Sequence, residues 1–153
     1  MKEKIPIGNW IRQVLQEQGR FIVWLAPKVY CRYNTLCNNI KQDNLDVDLL
    51  LRISKKLKHD FFLHYSDFLK EHCPSVVIGT NILEKEEIFI GNIIYEKLKE
   101  QEHSIAWLSK NVPCKHSALC RILKRNQIDA TLLFHISKAL EYDFFIHYSN
   151  LLK

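Results

Sequence analysis

Apolar residues return along this chain at every third or fourth position and nowhere alternate convincingly with period two, so the pattern predicts helices and no sheet. Ile7, Trp10, Ile11, Val14 and Leu15 share one stripe of a first helix, and Ile90, Ile93, Ile94 and Leu98 draw the same stripe later in the chain. Ile105, Leu108 and Val112 mark a second helix, with Ser104 placed to cap it. A third runs from about Lys115 to Lys124 and turns Leu119, Ile122 and Leu123 inward. Asp129 is placed to cap a fourth, with Leu133, Ile136 and Leu140 on one face, and Asp143 to cap a fifth over FFIHYSNLL. The expected fold class is all-α.

The helices recur because the chain is duplicated. A shift of 83 positions aligns residues 2–70 with 85–153 without a gap, and 33 of the 69 pairs are identical. KEKIPIGN faces KEEIFIGN, Trp24 faces Trp107, Cys31 faces Cys114 and Cys37 faces Cys120. The match is best at the end, where LLLRISKKLKHDFFLHYSDFLK faces LLFHISKALEYDFFIHYSNLLK. Two tandem five-helix domains, 2–70 and 85–153, are therefore expected, joined by a linker over 71–84. Pro74 and Gly79 punctuate that linker, and its Val76, Val77, Ile78, Ile82 and Leu83 either pack onto a repeat or form a short strand.

Composition narrows the classes. Hydrophobic residues make up 47% and charged residues 25%, with only four glycines and four prolines, which suits a packed globular chain rather than a disordered one. The start, MKEKIPIGNW, lacks an apolar leader and no apolar run is long enough for a membrane span, so a cytoplasmic protein is expected, with no membrane partner. Five cysteines, an odd number, then read as reduced thiols. Cys31 and Cys37, like Cys114 and Cys120, are spaced too widely for a zinc knuckle. Cys31 and Cys114 read as small core hydrophobes, and Cys37 and Cys120 lie beside the polar side of the third helix. His64 and His147, in the two HYS segments, read as surface histidines rather than metal ligands. No G-x-S-x-G, H-E-x-x-H, P-loop or glycine-rich dinucleotide turn is present, so no enzyme, cofactor or small-molecule ligand is implied.

The net charge of +5 is compatible with nucleic acid without requiring it. Its placement says more. The second and third helices are separated by about three residues, the spacing of a helix-turn-helix, in which one helix braces and the next enters the major groove. In CKHSALCRILKR, Leu119, Ile122 and Leu123 face inward, while Lys115, His116, Ser117, Cys120, Arg121 and Lys124 cluster on the other side with Arg125 at the end. Lysines neutralise phosphates, and an arginine can take both acceptors of a guanine edge. Any solvated helix also has a polar face; what favours double-stranded DNA as partner is that the cations fall on the groove helix.

The run IGNxI…SIAWLS…VPCKHSALCRIL…IDATLLFHISKALEYDFFIHYS resembles the Cro/CI-type (XRE), lambda-repressor-like helix-turn-helix family, especially short bacterial members with a cysteine before the recognition helix and an ending like DFFxxYS. The resemblance covers both repeats. It implies a five-helix domain, transcription regulation through DNA binding by the third helix, and pairing on two half-sites, here by a homodimer or by an intrachain pseudo-dimer of the two repeats. By matching positions it assigns DNA contacts to Lys115, His116, Ser117, Arg121 and Lys124, and in the first repeat to Arg32, Tyr33, Asn34, Asn38 and Lys41. Tyr30 and Pro113 stand at the turn position where the family often has glycine, which speaks against a positive φ there.

The repeats differ in ways that suggest a degraded first reader. Phe21 stands where the second repeat has Ser104, removing a cap worth about 1 kcal/mol. Pro27 falls well inside the second helix, at a cost near ~3 kcal/mol, so that helix is expected to be kinked or shortened against Ile105–Val112. Asn39 replaces Ile122. The first repeat nevertheless carries +5 and the second +2, through Arg52, Lys55, Lys56 and Lys58 on its fourth helix, with −2 on the linker. The second repeat is thus the expected DNA reader, and the first braces, grips phosphates or pairs with a partner. The rival reading is an interaction module that kept the fold and lost DNA. Trp24 and Trp107, off the apolar stripe of their helices, are expected to be covered by the DFF aromatics or to lie in an interface between repeats or chains.

Overall fold

The computed structural model describes residues 6–72, 90–125 and 128–152. They are all-α, with ten helices and no strand among the described residues. Repeat one holds α1 (Ile7–Glu17), α2 (Ile22–Lys28), α3 (Tyr33–Lys41), α4 (Val47–Leu57) and α5 (Phe62–His72). Repeat two holds α6 (Ile90–Glu100), α7 (Ile105–Asn111), α8 (His116–Arg125), α9 (Ala130–Leu140) and α10 (Phe145–Leu151). Helix α5 runs two residues past the boundary expected at 70, and the apolar residues of the linker lie outside the described residues.

Each repeat is tied together by the same contacts, displaced by 83 positions. Helix α1 buries Ile7, Ile11, Val14 and Leu15, and its first turn lies on the C-terminal end of α3. That approach is why glycine stands at Gly8 and Gly91: a Cβ there would run into the carbonyl oxygen of Ile40 or of Leu123. At the other end of α1 and α6, Gln18 Nε2 donates to Leu57 O and Gln101 Nε2 to Leu140 O, both at 2.7 Å. These side chains satisfy terminal carbonyls that α4 and α9 cannot satisfy internally. Lys58 and Glu141 then leave those helices in the left-handed conformation, each with φ 54°.

The capping pattern agrees with the sequence. Ser104 Oγ accepts from Trp107 N at 3.1 Å, and Phe21 supplies no cap to α2. Asp129 Oδ1 accepts from Leu132 N (2.7 Å) and Asp143 Oδ1 from Phe145 N (2.9 Å).

Pro27 does not shorten its helix against the matching helix of repeat two. Helices α2 and α7 are each seven residues long and start at matching positions. Pro27 is the sixth residue of its helix, so it forfeits only one backbone bond, in a turn that is ending in both repeats. Beyond it Val29 N still reaches Leu25 O at 3.1 Å. Shortening of α2 is therefore no ground for calling repeat one degraded.

The two repeats pack against each other through α5 and α10, with α9 against α5. Phe62 stacks on Tyr148 (centroids 4.9 Å, 18°) and Tyr65 on Phe145 (4.6 Å, 16°), the second pair being the first with the repeats exchanged. The backbone repeats the exchange: Val47 N donates to Ile128 O (2.9 Å) and Ala130 N to Leu45 O (2.7 Å), on either side of an isolated bridge between Asp46 and Asp129. Ser149 Oγ donates to Asp60 Oδ1 at 3.2 Å, and Ser66 faces Asp143 without closing a well-formed bond. Contacts that map onto themselves in this way define a pseudo-two-fold axis within one chain. The buried apolar side chains of both repeats accordingly form one continuous core.

Candidate nucleic-acid interface

Four residues, 112–115, separate α7 from α8, and four, 29–32, separate α2 from α3, one more than the sequence suggested. The two turns are built differently. Against expectation, Tyr30 takes φ 56°, and Cys31 N beyond it donates to Ala26 O at 3.0 Å. This is the left-handed exit usual for glycine, and a tyrosine there carries strain of order 1 kcal/mol. Proline cannot adopt positive φ, so the second repeat leaves α7 with Val112 extended (φ −127°, ψ 155°) and closes Cys114 N on Val112 O at 2.8 Å around Pro113.

Helix α8 buries Leu119 and Leu123 against α6 and α7 and leaves Ile122 half-exposed, less buried than its place in the stripe suggested. Lys115, His116, Ser117, Arg121, Lys124 and Arg125 are all exposed. Ser117, Arg121 and Lys124 stand at i, i+4 and i+7, hence on one side of the helix, opposite Leu119 and Leu123. Arg121 and Arg125 border a shallow depression of about 240 Å³ together with Ala118 and Ile122. None of the four cations from Lys115 to Arg125 is held in an ion pair among the described residues. His116 Nε2 lies 3.8 Å from Cys120 Sγ on the same face.

In α3 the matching residues Arg32, Tyr33, Asn34, Asn38 and Lys41 are likewise exposed, over a buried Leu36 and Ile40. The face carries two cations where α8 and its lead-in carry four, and its flank is apolar. Phe21, Val23, Tyr30 and Tyr33 are 74%, 64%, 85% and 50% exposed, where repeat two has Ser104, Ala106, Pro113 and His116. The sequence marked Phe21 as a lost cap, Tyr30 as a turn residue and Tyr33 as a DNA contact, but not that they and Val23 form one exposed apolar flank.

Cys31, Cys37, Cys114 and Cys120 are half-buried. Cys31 and Cys114 pack at the edge of the core, less buried than expected, and burial raises both thiols above their ordinary range. Among the described residues no group of three or more His, Cys, Asp or Glu side chains could hold a metal ion. The two HYS histidines are half-buried rather than on the surface. His64 stacks on Trp10 (4.4 Å) with its Nε2 2.9 Å from His59 Nε2, and His147 Nε2 lies 2.9 Å from Tyr142 Oη. Burial lowers both pKa values, with His59 as the second cause for His64 and Lys97 for His147.

Trp24 and Trp107 are partly buried against the core, and each is covered from the loop that leads into its own helix. Arg20 lies 4.0 Å over Trp24 and His103, at the matching position, stacks on Trp107 at 3.6 Å. The second phenylalanine of each DFF, Phe62 and Phe145, stacks across the repeats, while Phe61 meets His59 and Phe144 meets Tyr142 within their own repeat.

No family model, no curated protein and no solved structure matches the chain. Among the described residues no helix is long and apolar enough to cross a membrane.

Proposed function

We propose that this chain is a sequence-specific DNA-binding transcriptional regulator built from two helix-turn-helix units, with α8 as its principal reading helix. One observation carries the reading: six donor-bearing residues, four of them cations without ion-pair partners among the described residues, are exposed along α8 and its lead-in, over a buried apolar face. Such a helix can lie in a major groove with phosphates at its ends and base edges along its middle. The pseudo-two-fold supports the same reading. The cross-bonded residues Leu45 and Ile128 follow shortly after α3 and α8, so one chain carries two related helices about one axis, as a dimer on two half-sites does.

The roles divide by chemistry. Arg121, at the middle of the face, suits a guanine edge, and Lys124 with Arg125, at its end, suits phosphates. In α3, Asn38 replaces Arg121 and suits adenine, giving a weaker and differently coded half.

The test is titration of duplex DNA at two salt concentrations. Arg121→Ala loses about 1–3 kcal/mol and discrimination at one base pair. Lys124→Ala weakens all sequences alike and lowers the salt slope by about 1. Asn38→Ala and Lys41→Ala cost less. Equal and negligible losses in both repeats would leave the interaction-module reading in its place.

A further inference from the structure

A second surface lies on repeat one, apart from α8. Between the end of α1 and the starts of α2 and α3 is a cleft of about 470 Å³, with Phe21, Ile22, Val23 and Tyr33 as its apolar lining and Arg12 and Arg20 among its walls. No acidic side chain lines it. Arg20 is stationed by its contact with Trp24, at 4.0 Å from the ring. Repeat two has none of this: its matching residues are Tyr95 and His103 for the arginines and Ser104, Ala106 and His116 for Phe21, Val23 and Tyr33. One unit of a duplicated fold has therefore gathered exposed apolar groups and two guanidiniums at one place.

We propose that this cleft docks an acidic, aliphatic-rich segment of a partner protein. Leu, Ile or Val side chains of the segment fill the floor and leave water, and its carboxylates take the planar donors of Arg12 and Arg20. Charge decides against the other occupants. A second copy of the chain meeting the cleft face to face would bring guanidiniums onto guanidiniums. A DNA backbone would satisfy the arginines but set hydrated phosphates against Phe21 and Val23, leaving the apolar floor without a complement. The inference does not depend on DNA binding by α8.

The experiment is selection of a random peptide library on the full chain, with counter-selection on Phe21→Ser/Val23→Ala. The selected peptides are then titrated by fluorescence anisotropy against the wild type, that variant and Arg12→Glu/Arg20→Glu. Phe21→Ser restores the capping residue of repeat two, so the first variant is expected to fold at least as well, which circular dichroism and a urea midpoint check. The expected result is a consensus of carboxylates flanking aliphatic residues. Both variants should bind it more weakly by about tenfold or more, the scale of losing one anchor side chain. Peptides that are neutral or basic, affinities unchanged in both variants, or a library that yields no cleft-dependent binder would each overturn the proposal. So would a loss of duplex DNA binding in Phe21→Ser/Val23→Ala, which would make the cleft part of a nucleic-acid surface.

Discussion

Phe145→Ala tests whether the repeats are one cooperative unit. Phe145 is fully buried, stacks on Tyr65 of the other repeat at 4.6 Å and meets Phe62 at 6.4 Å. Truncating a buried phenylalanine costs about 3–5 kcal/mol through lost transfer energy and an incompletely closed cavity. Part of that belongs to the ring pair itself. A Tyr65→Leu/Phe145→Leu double-mutant cycle should return a coupling of about 0.5–1.5 kcal/mol. The chain has three tryptophans, of which Trp10 and Trp24 lie in repeat one, so in a Trp107→Phe background fluorescence reports repeat one alone. Urea unfolding in that background should show a single transition that Phe145→Ala moves to lower urea, although the substitution sits in repeat two. If the fluorescence midpoint stays fixed while circular dichroism reveals a separate, earlier transition, the repeats unfold independently and the interface reasoning is refuted.

Gly91→Ala should cost about 1–3 kcal/mol in the same titration, because the new Cβ meets the backbone carbonyl of Leu123, which cannot swing aside as a side chain would. A loss below about 0.5 kcal/mol would show that α6 can lift from α8 at little cost. Stability should fall as pH drops below the ordinary histidine value of 6.5, since burial lowers His64 and His147 and the unfolded chain therefore takes up their protons first. His64→Gln/His147→Gln should flatten the difference between thermal melts at about pH 7.5 and about pH 5.5, and an unchanged difference would assign it elsewhere. At lower pH Asp46, Asp48 and Asp143 act in the opposite sense: burial raises all three, so the folded chain binds those protons first.

The readable part of this molecule is the local part. Helix type and register follow from apolar spacing that any amphipathic helix must show, and the caps at Ser104 and Asp129 are decided within four residues of chain. The exposed face of α8 was legible for the same reason, since Leu119 and Leu123 orient the helix and thereby turn Arg121 and Lys124 outward. The IGN segment could be matched between repeats but not explained, because the carbonyls that demand Gly8 and Gly91 belong to α3 and α8.

What the tertiary structure alone decided lies at longer range. An apolar stripe on α5 or α10 states that something covers it without stating what, and the structure sets Phe62 and Tyr65 against Tyr148 and Phe145. Residue type misjudged the length of the helix at Pro27, which depends on where that helix ends, and the φ of Tyr30, which is imposed by the turn it closes. It also missed the cleft of repeat one, because exposure of Phe21 and Val23 is a property of what surrounds them. Local spacing therefore settled which residues become helix and which side faces water. Only packing, which depends on partners far apart in the chain, settled how two similar units became one molecule with two unlike faces.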